Sequence, residues 1–183
     1  MRHPVPAQSD APETLDLCQK IVPNVNPEWV KSDPFPGAEE KDCFINVERA
    51  IEKNGGTAVN GWTIWQVPGV FIEAEFHCVW EKESGVMLNV TPYPNRPEKI
   101  LFLPDQTRVY TGKQLDNVRQ ALVNDPDVIR WLYLARRRFE ILNTGDLANQ
   151  YGQIELPPKL SKEFDKIITE TERLYSRLQR RYS

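Results

Sequence analysis

The chain has 183 residues, of which 40% are hydrophobic and 27% are charged, and its formal net charge is -3. This length allows one domain with a substantial core, and the composition is typical of a globular protein rather than a disordered one. The acidic balance disfavours a nucleic-acid partner, although arginines cluster near the C-terminal end. Every apolar run is broken by charge or proline before it could span a membrane, so we expect no transmembrane helix and no secretory signal.

The chain has three cysteines, and they show no regular spacing. An odd, irregular set is a poor basis for a disulfide framework, so we expect at least one free thiol and a reducing, cytoplasmic compartment. The positions are Cys18, Cys43 and Cys78.

The first 41 residues are rich in proline and are predicted to form an N-terminal arm or wrapped loop. Only "ETLDLCQKI" could form one or two helical turns there. The pattern changes at Asp42, where "DCFINVERAIEKNGG" places apolar residues at helical spacing and ends in a stop signal. We therefore predict a helix of about three turns that begins at or near Cys43.

Four apolar runs follow and predict an antiparallel sheet, because turn residues separate them. The runs are "GWTIWQV", "VFIEAEFHCVWE", "GVMLNVT" and "KILFLP". Alternation along the second run assigns Ile72 to a core face and His77 to an opposite, polar face.

The chain from Gln114 onward is predicted to be helical, in the segments "QLDNVRQALV", "PDVIRWLYLARRRFEILN" and "KLSKEFDKIITETERLYSRLQRRY". Their apolar stripes require a partner, so these helices should pack on the sheet. We therefore predict an α+β fold with three parts: an arm over 1–41, a core over 42–112 and C-terminal helices over 113–183.

Two polar residues on the predicted strands are candidates for a catalytic site. If the second and third strands form a hairpin centred on Glu83, His77 lies directly opposite Asn89, and both avoid the core face. An asparagine at that position can orient an imidazole that acts as a base.

Cys43 supplies a candidate nucleophile. A helix N-terminus lowers the pKa of a thiol, and its free backbone N–H groups can bind the oxyanion of an acyl-transfer intermediate. Cys43, His77 and Asn89 therefore form a candidate nucleophile, base and orienting residue.

The order of these residues, with "DCFINV", "EFHCVW" and "GVMLNVTP" around them, resembles the papain-like cysteine hydrolases, nearest their transglutaminase-like branch. The resemblance covers about residues 40–105. It departs from the papain pattern before Cys43, and Asn89 replaces the more usual aspartate. It implies a Cys-bearing helix packed on an antiparallel sheet, a protein or peptide amide substrate and no cofactor. Similar runs in uncharacterised bacterial and phage proteins imply no particular substrate.

Several alternatives stay open at the level of sequence. Proteolysis, isopeptide cleavage, deamidation and transamidation share one thioacyl intermediate. A non-catalytic protein-binding module of the same fold is a rival, and so is a metal site that uses His77 with one or both of Glu73 and Glu75, although no metal is expected. The oligomeric state is not predicted. Further candidates for a substrate groove are Asn46, Trp62, Trp65 and Glu75.

Overall fold

A computed structural model of the protein describes residues 3–113, 115–150 and 154–183, and it has an α+β architecture. The elements in chain order are β1 (Val5–Pro6), α1 (Pro12–Ile21), β2 (Glu28–Ser32), α2 (Cys43–Asn54), β3 (Thr57–Val67), β4 (Phe71–Glu81), β5 (Met87–Asn89), β6 (Lys99–Pro104), β7 (Val118–Ala121), α3 (Pro126–Leu142), a 3₁₀ helix (Gly145–Asn149) and α4 (Pro158–Arg181).

The strands form one sheet in the order β1-β3-β6-β2-β5-β4-β7, and β3 also pairs with β4. This extra pairing closes β3, β6, β2, β5 and β4 into a barrel. Closure gives the sheet an interior, so both faces of a central strand such as β4 are buried.

Gly61 allows three strands to meet closely. It pairs with His77 of β4 on one side and with Pro104 of β6 on the other. A Cβ atom at this position would lie 2.3 Å from the backbone oxygen of Leu103. Any other residue would therefore push β6 away from β3.

Helices cover the outside of the barrel. One face of α1 packs with Ile72 and Phe76 of β4, and α2 packs with Cys78 and Trp80 further along the same strand. The ends of β3 and β4 form another cluster with the C-terminal helices, which consists of Val67, Val70, Phe71, Val128, Leu132 and Leu178.

The predicted helix at Cys43 is confirmed over Cys43–Asn54, and Gly55 follows it with a φ of 73°. The four predicted strands correspond to β3, β4, β5 and β6. The two long C-terminal helices are confirmed as α3 and α4, and Val128 and Leu132 of α3 pack against the end of β4 as expected.

The prediction of a helix in "QLDNVRQALV" is wrong, because Val118–Ala121 forms β7 and pairs with Phe71–Ala74 of β4. The free edge of β4 supplies backbone partners that outweigh the helical spacing of four apolar residues. Gln114, where the helical region was predicted to begin, lies outside the described residues.

The stretch predicted as an arm contains α1 and two strands that join the sheet. β1 pairs with β3, and β2 lies between β5 and β6. The β2–β5 pairing is parallel, so the sheet is not purely antiparallel as predicted. Among the described residues, none of the helices is both long enough and apolar enough to cross a bilayer.

Candidate active site

An opening in the edge of β4 positions the candidate site. Ala74 pairs with β7 and Trp80 pairs with β5, but within the described ranges residues 75–79 have no strand partner on that edge. A cavity of about 620 Å³ lies at this opening, a size that suits a small ligand or a side chain. Its walls include Cys43, Trp65, Glu75 and His77.

His77 and Asn89 are in direct contact. His77 Nε2 lies 3.0 Å from Asn89 Oδ1, and both side chains are buried, with exposed fractions of 3% and 0%. The predicted orienting contact is therefore present.

The register that produces this contact differs from the prediction. Trp80 pairs with Leu88 and Glu81 with Met87, so the hairpin is centred on Ser84 rather than Glu83, and His77 is not directly opposite Asn89. Moving the centre by one residue shifts the pairing by two, which keeps every side chain on its predicted face.

The face that carries His77 is not a polar surface, as was predicted, but the interior of the barrel. Val79 on the same face packs with Val30, Ile100 and Phe102. The alternation of β4 was predicted correctly, but closure of the sheet could not be inferred from it, and closure is what buries His77.

The hydrogen bonds of Asn89 define the protonation of His77. Asn89 Nδ2 donates to the backbone oxygen of Thr91 at 3.0 Å and to Ser32 Oγ at 3.3 Å, and Asn89 Oδ1 accepts from the backbone N–H of Thr91 at 3.2 Å. These partners fix Oδ1 as the atom that faces His77. Nε2 is therefore assigned the proton, and Nδ1 is the nitrogen with a lone pair that can accept one.

Tyr93 lies next to that nitrogen. Its hydroxyl is 3.4 Å from His77 Nδ1, and its ring packs edge-on against Trp65 with ring centroids 4.8 Å apart. Burial raises the pKa of Tyr93 well above its ordinary value, so the phenol stays protonated and can donate. Tyr93 was not predicted, although it directly follows the strand of Asn89 in "NVTPYP", and that proximity was the available signal.

Cys43 lies at the first position of α2, as predicted, but its pKa is raised rather than lowered. Burial raises the pKa of this thiol to about 12, while hydrogen bonds from the backbone N–H groups of Cys78, Phe44 and Cys43 act in the opposite direction. The effect of the helix start is thus present, but loss of solvation is larger.

The imidazole is also neutral. Burial lowers the pKa of His77 to about 4, and the hydrogen bond to Asn89 only partly offsets that shift. At neutral pH the site therefore contains a thiol and a neutral imidazole, and among the described residues no hydrogen bond joins Cys43 to His77.

Two other predicted groove residues lie away from the cavity. Trp62 is packed in the core beside Phe76, and its indole N–H donates to Asp105 Oδ2 at 3.0 Å. Asn46 is fully buried and bonds both backbone groups of Glu39 and the hydroxyl of Thr91. Asn46 therefore fastens the loop before α2 to the strand region and does not face a substrate.

The carboxylates at the cavity differ in their partners. Glu73 Oε2 lies 3.3 Å from Arg119 Nε and accepts from Asn117 Nδ2 at 3.1 Å. Glu75 Oε2 accepts from the indole N–H of Trp65 at 3.0 Å, and burial raises the pKa of Glu75. Within the described part of the chain, no group of three or more His, Cys, Asp and Glu side chains is arranged to hold a metal ion.

Comparison of the chain with protein-family models, with curated proteins and with solved structures finds no match. The papain-like assignment therefore has no support from relatives. What can be said of function rests on the geometry of the cavity.

Proposed function

We propose that the protein is a cysteine-dependent hydrolase or acyltransferase that acts on an amide bond of a protein or peptide. In this proposal Cys43 is the nucleophile, His77 transfers the proton and Asn89 orients the imidazole. The observation that carries the proposal is the 3.0 Å contact between His77 and Asn89 in the wall of a cavity that Cys43 also lines.

The chemistry follows from the protonation of the pair. As the sulfur of Cys43 attacks the carbonyl carbon, its proton passes to Nδ1 of His77, a C–S bond forms and the carbonyl oxygen becomes an oxyanion. N–H groups at the start of α2 are suited to bind that oxyanion. The C–N bond then breaks as His77 returns the proton to the leaving amine. Water or a second amine attacks the thioester and releases the thiol.

The neutral resting state constrains this mechanism. With the pKa of Cys43 raised to about 12 and that of His77 lowered to about 4, a preformed thiolate–imidazolium pair is disfavoured. Deprotonation must therefore accompany attack on a bound carbonyl group. Nδ1 must also exchange the hydroxyl of Tyr93 for the thiol, since that hydroxyl lies nearest to it. A reducing compartment such as the cytoplasm would keep the thiol available.

The test is covalent labelling with a peptidyl vinyl sulfone near neutral pH, followed by peptide mapping. We expect modification at Cys43 in preference to Cys18 and Cys78, at a rate that falls at least tenfold in His77→Gln and less in Asn89→Ala. Cys18→Ala is the matched control, because Cys18 is buried in a separate cluster beneath α1. Iodoacetamide, which needs no carbonyl binding, reports how much of any change reflects accessibility alone.

Labelling at another cysteine, or a rate at Cys43 that does not respond to His77→Gln, would contradict the thiol mechanism. Activity that is lost with a chelator and survives Cys43→Ala would instead favour metal-dependent chemistry.

A second candidate is a non-catalytic binding module that uses the same cavity. The observation in its favour is that burial leaves both the thiol and the imidazole uncharged, which suits a packed pocket as well as a resting enzyme. Ligand binding in the absence of any Cys43-dependent labelling would support this candidate.

A further inference from the structure

We propose that the cavity binds an alkylammonium group, such as a lysine side chain or a free amino group, between the carboxylate of Glu75 and the rings of Trp65 and Tyr93. The ammonium site would define the substrate of the proposed function. It rests on that function only for the claim that an amide bond reacts in the cavity.

Glu75 would supply the negative charge of this site. It lies two residues before His77 on the same face of β4, so its carboxyl group is directed into the barrel interior near the imidazole. Its oxygen Oε2 accepts from the neutral indole N–H of Trp65 at 3.0 Å. Among the described residues no cation lies within ion-pair distance of Glu75.

The charges around Glu75 leave a place for a cation. Glu73, its neighbour on the same face, already pairs with Arg119, which also pairs with Asp116. Glu40 and Lys41 are exposed at the cavity rim and carry opposite charges. Glu75 therefore has no cation at ion-pair distance in the described part of the chain, and Lys41 and Arg119 act on it only from further away. Burial raises the pKa of Glu75, and a bound ammonium would favour its charged form.

The aromatic residues suit the same ligand. Trp65 and Tyr93 both line the cavity, and their rings meet edge to face with centroids 4.8 Å apart. Aromatic faces attract ammonium groups, and the attraction is stronger where water is excluded, as it is beside Trp65, which is 5% exposed. The alkyl chain of the ligand would contact the apolar part of the lining, which includes Phe76.

This placement gives the cation a role in the proposed reaction. An ammonium bound at Glu75 would lie beside the residue two positions before His77 on β4, in the same cavity that Cys43 lines. A lysine residue next to the scissile amide would thereby be held at the reacting groups. A free amine bound there could resolve the thioester only after its ammonium form gives up a proton, for which the carboxylate of Glu75 is the adjacent acceptor.

The test measures binding without turnover, in full-length Cys43→Ala protein, by NMR titration with two small probes. Nα-acetyl-lysine methylamide carries the ammonium, and Nα-acetyl-norleucine methylamide has a similar chain without it. We expect the lysine probe to bind at least tenfold more tightly, and Glu75→Gln to remove most of that preference. Glu81→Gln makes the same change at the far end of β4, where the residue accepts from Thr57, and should leave the preference intact.

Equal binding of the two probes, binding of neither, or a preference that survives Glu75→Gln would overturn the ammonium site. These outcomes are separate from those of the labelling test, because the variant used here has no Cys43 thiol. If labelling fails and the lysine preference is found, the ammonium site stands without the thiol chemistry. If labelling succeeds and no preference is found, the reverse holds.

Discussion

The two faces of β4 differ in chemistry, although most side chains on both are buried. The face toward α1 and α2 is apolar from end to end and consists of Ile72, Ala74, Phe76, Cys78 and Trp80. The other face is apolar at its two ends, where Phe71 packs with the C-terminal helices and Val79 joins the barrel core, and it carries Glu73, Glu75 and His77 between them.

Within this one strand, the outer face contributes mainly to stability, and the other face carries the groups that could react. The outer face fills space between sheet and helices, so its side chains contribute through packing. Burial raises the pKa of Glu75 and lowers that of His77, and both side chains depend on a few specific hydrogen bonds. The opening at residues 75–79 is where the cavity wall combines Cys43 from the outer side with His77 from the inner side.

The largest effect should come from the outer face. Ile72→Ala removes a fully buried side chain from the cluster beneath α1. We expect the free energy of unfolding to fall by about 2–5 kcal/mol, because a cavity remains after the methyl groups are lost. Urea denaturation measures this loss. Val86→Ala is the control, since Val86 is 51% exposed in the turn and its removal should change stability by about 0.5 kcal/mol or less. If Ile72→Ala lowered the free energy of unfolding as little as the control does, the outer face would not contribute to stability through packing.

The interior face should respond to pH instead. His77 has a pKa of about 4 in the folded protein against an ordinary 6.5, so above pH 6.5 it is neutral in both states and adds no pH dependence. Between pH 6.5 and 4 the unfolded chain gains a proton that the folded chain does not. The free energy of unfolding should therefore fall by on the order of 3 kcal/mol across that range on account of His77.

Denaturation of wild type and His77→Gln at pH 7 and pH 4 isolates this contribution, because other titrating groups are common to both proteins. The wild type should lose more stability on acidification than the variant. Equal losses would mean that the imidazole is not desolvated.

A smaller loss of stability is expected from substitution of Asn46, whose side chain connects the loop before α2 to the residues that follow β5. Its side chain fixes the backbone of Glu39 and the hydroxyl of Thr91, and so holds the loop before Cys43 against the end of the hairpin. Asn46→Ala should cost about 1–3 kcal/mol, since the buried hydroxyl of Thr91 and the part-buried backbone of Glu39 lose their hydrogen bonds to Asn46, and should increase the rate of Cys43 alkylation by loosening the cavity wall. Thermal denaturation and iodoacetamide labelling measure the two effects.

Asn54→Ala is the comparison for Asn46, because Asn54 lies at the other end of α2 and its side chain donates to the backbone oxygen of Ala50 in the same helix. If both variants labelled Cys43 at the wild-type rate, the loop contact would have no influence on the cavity.

Local patterns predicted most of the regular structure. Alternation and turn residues located β3, β4 and β6, and helical spacing with a glycine stop located α2. They also assigned His77 and Asn89 to one face, and because the error in register preserved that face, the contact is present although the two residues are not directly opposite.

What local patterns missed depends on distant parts of the chain. The two residues of β1 and the five of β2 are too short to show alternation, and β7 has helical spacing, so all three are defined by their partners in the sheet. The raised pKa of Cys43 has the same origin: the helix start is visible in sequence, but the burial that outweighs it comes from packing against Cys78 and Trp80.

The position of β2 also has a consequence for the order of folding. β2 precedes β5 and β6 in the chain by more than 50 residues, yet it closes the barrel by pairing with Leu88 and Asn89 of β5 and with residues 99–102 of β6. The backbone groups of β2 can therefore form these hydrogen bonds only after β5 and β6 are available. Pairings between segments so far apart in sequence have a high loop-closure entropy, which slows folding. We expect the His77–Asn89 contact to form only at this late step, because Ser32 at the end of β2 is one of the groups that hold Asn89.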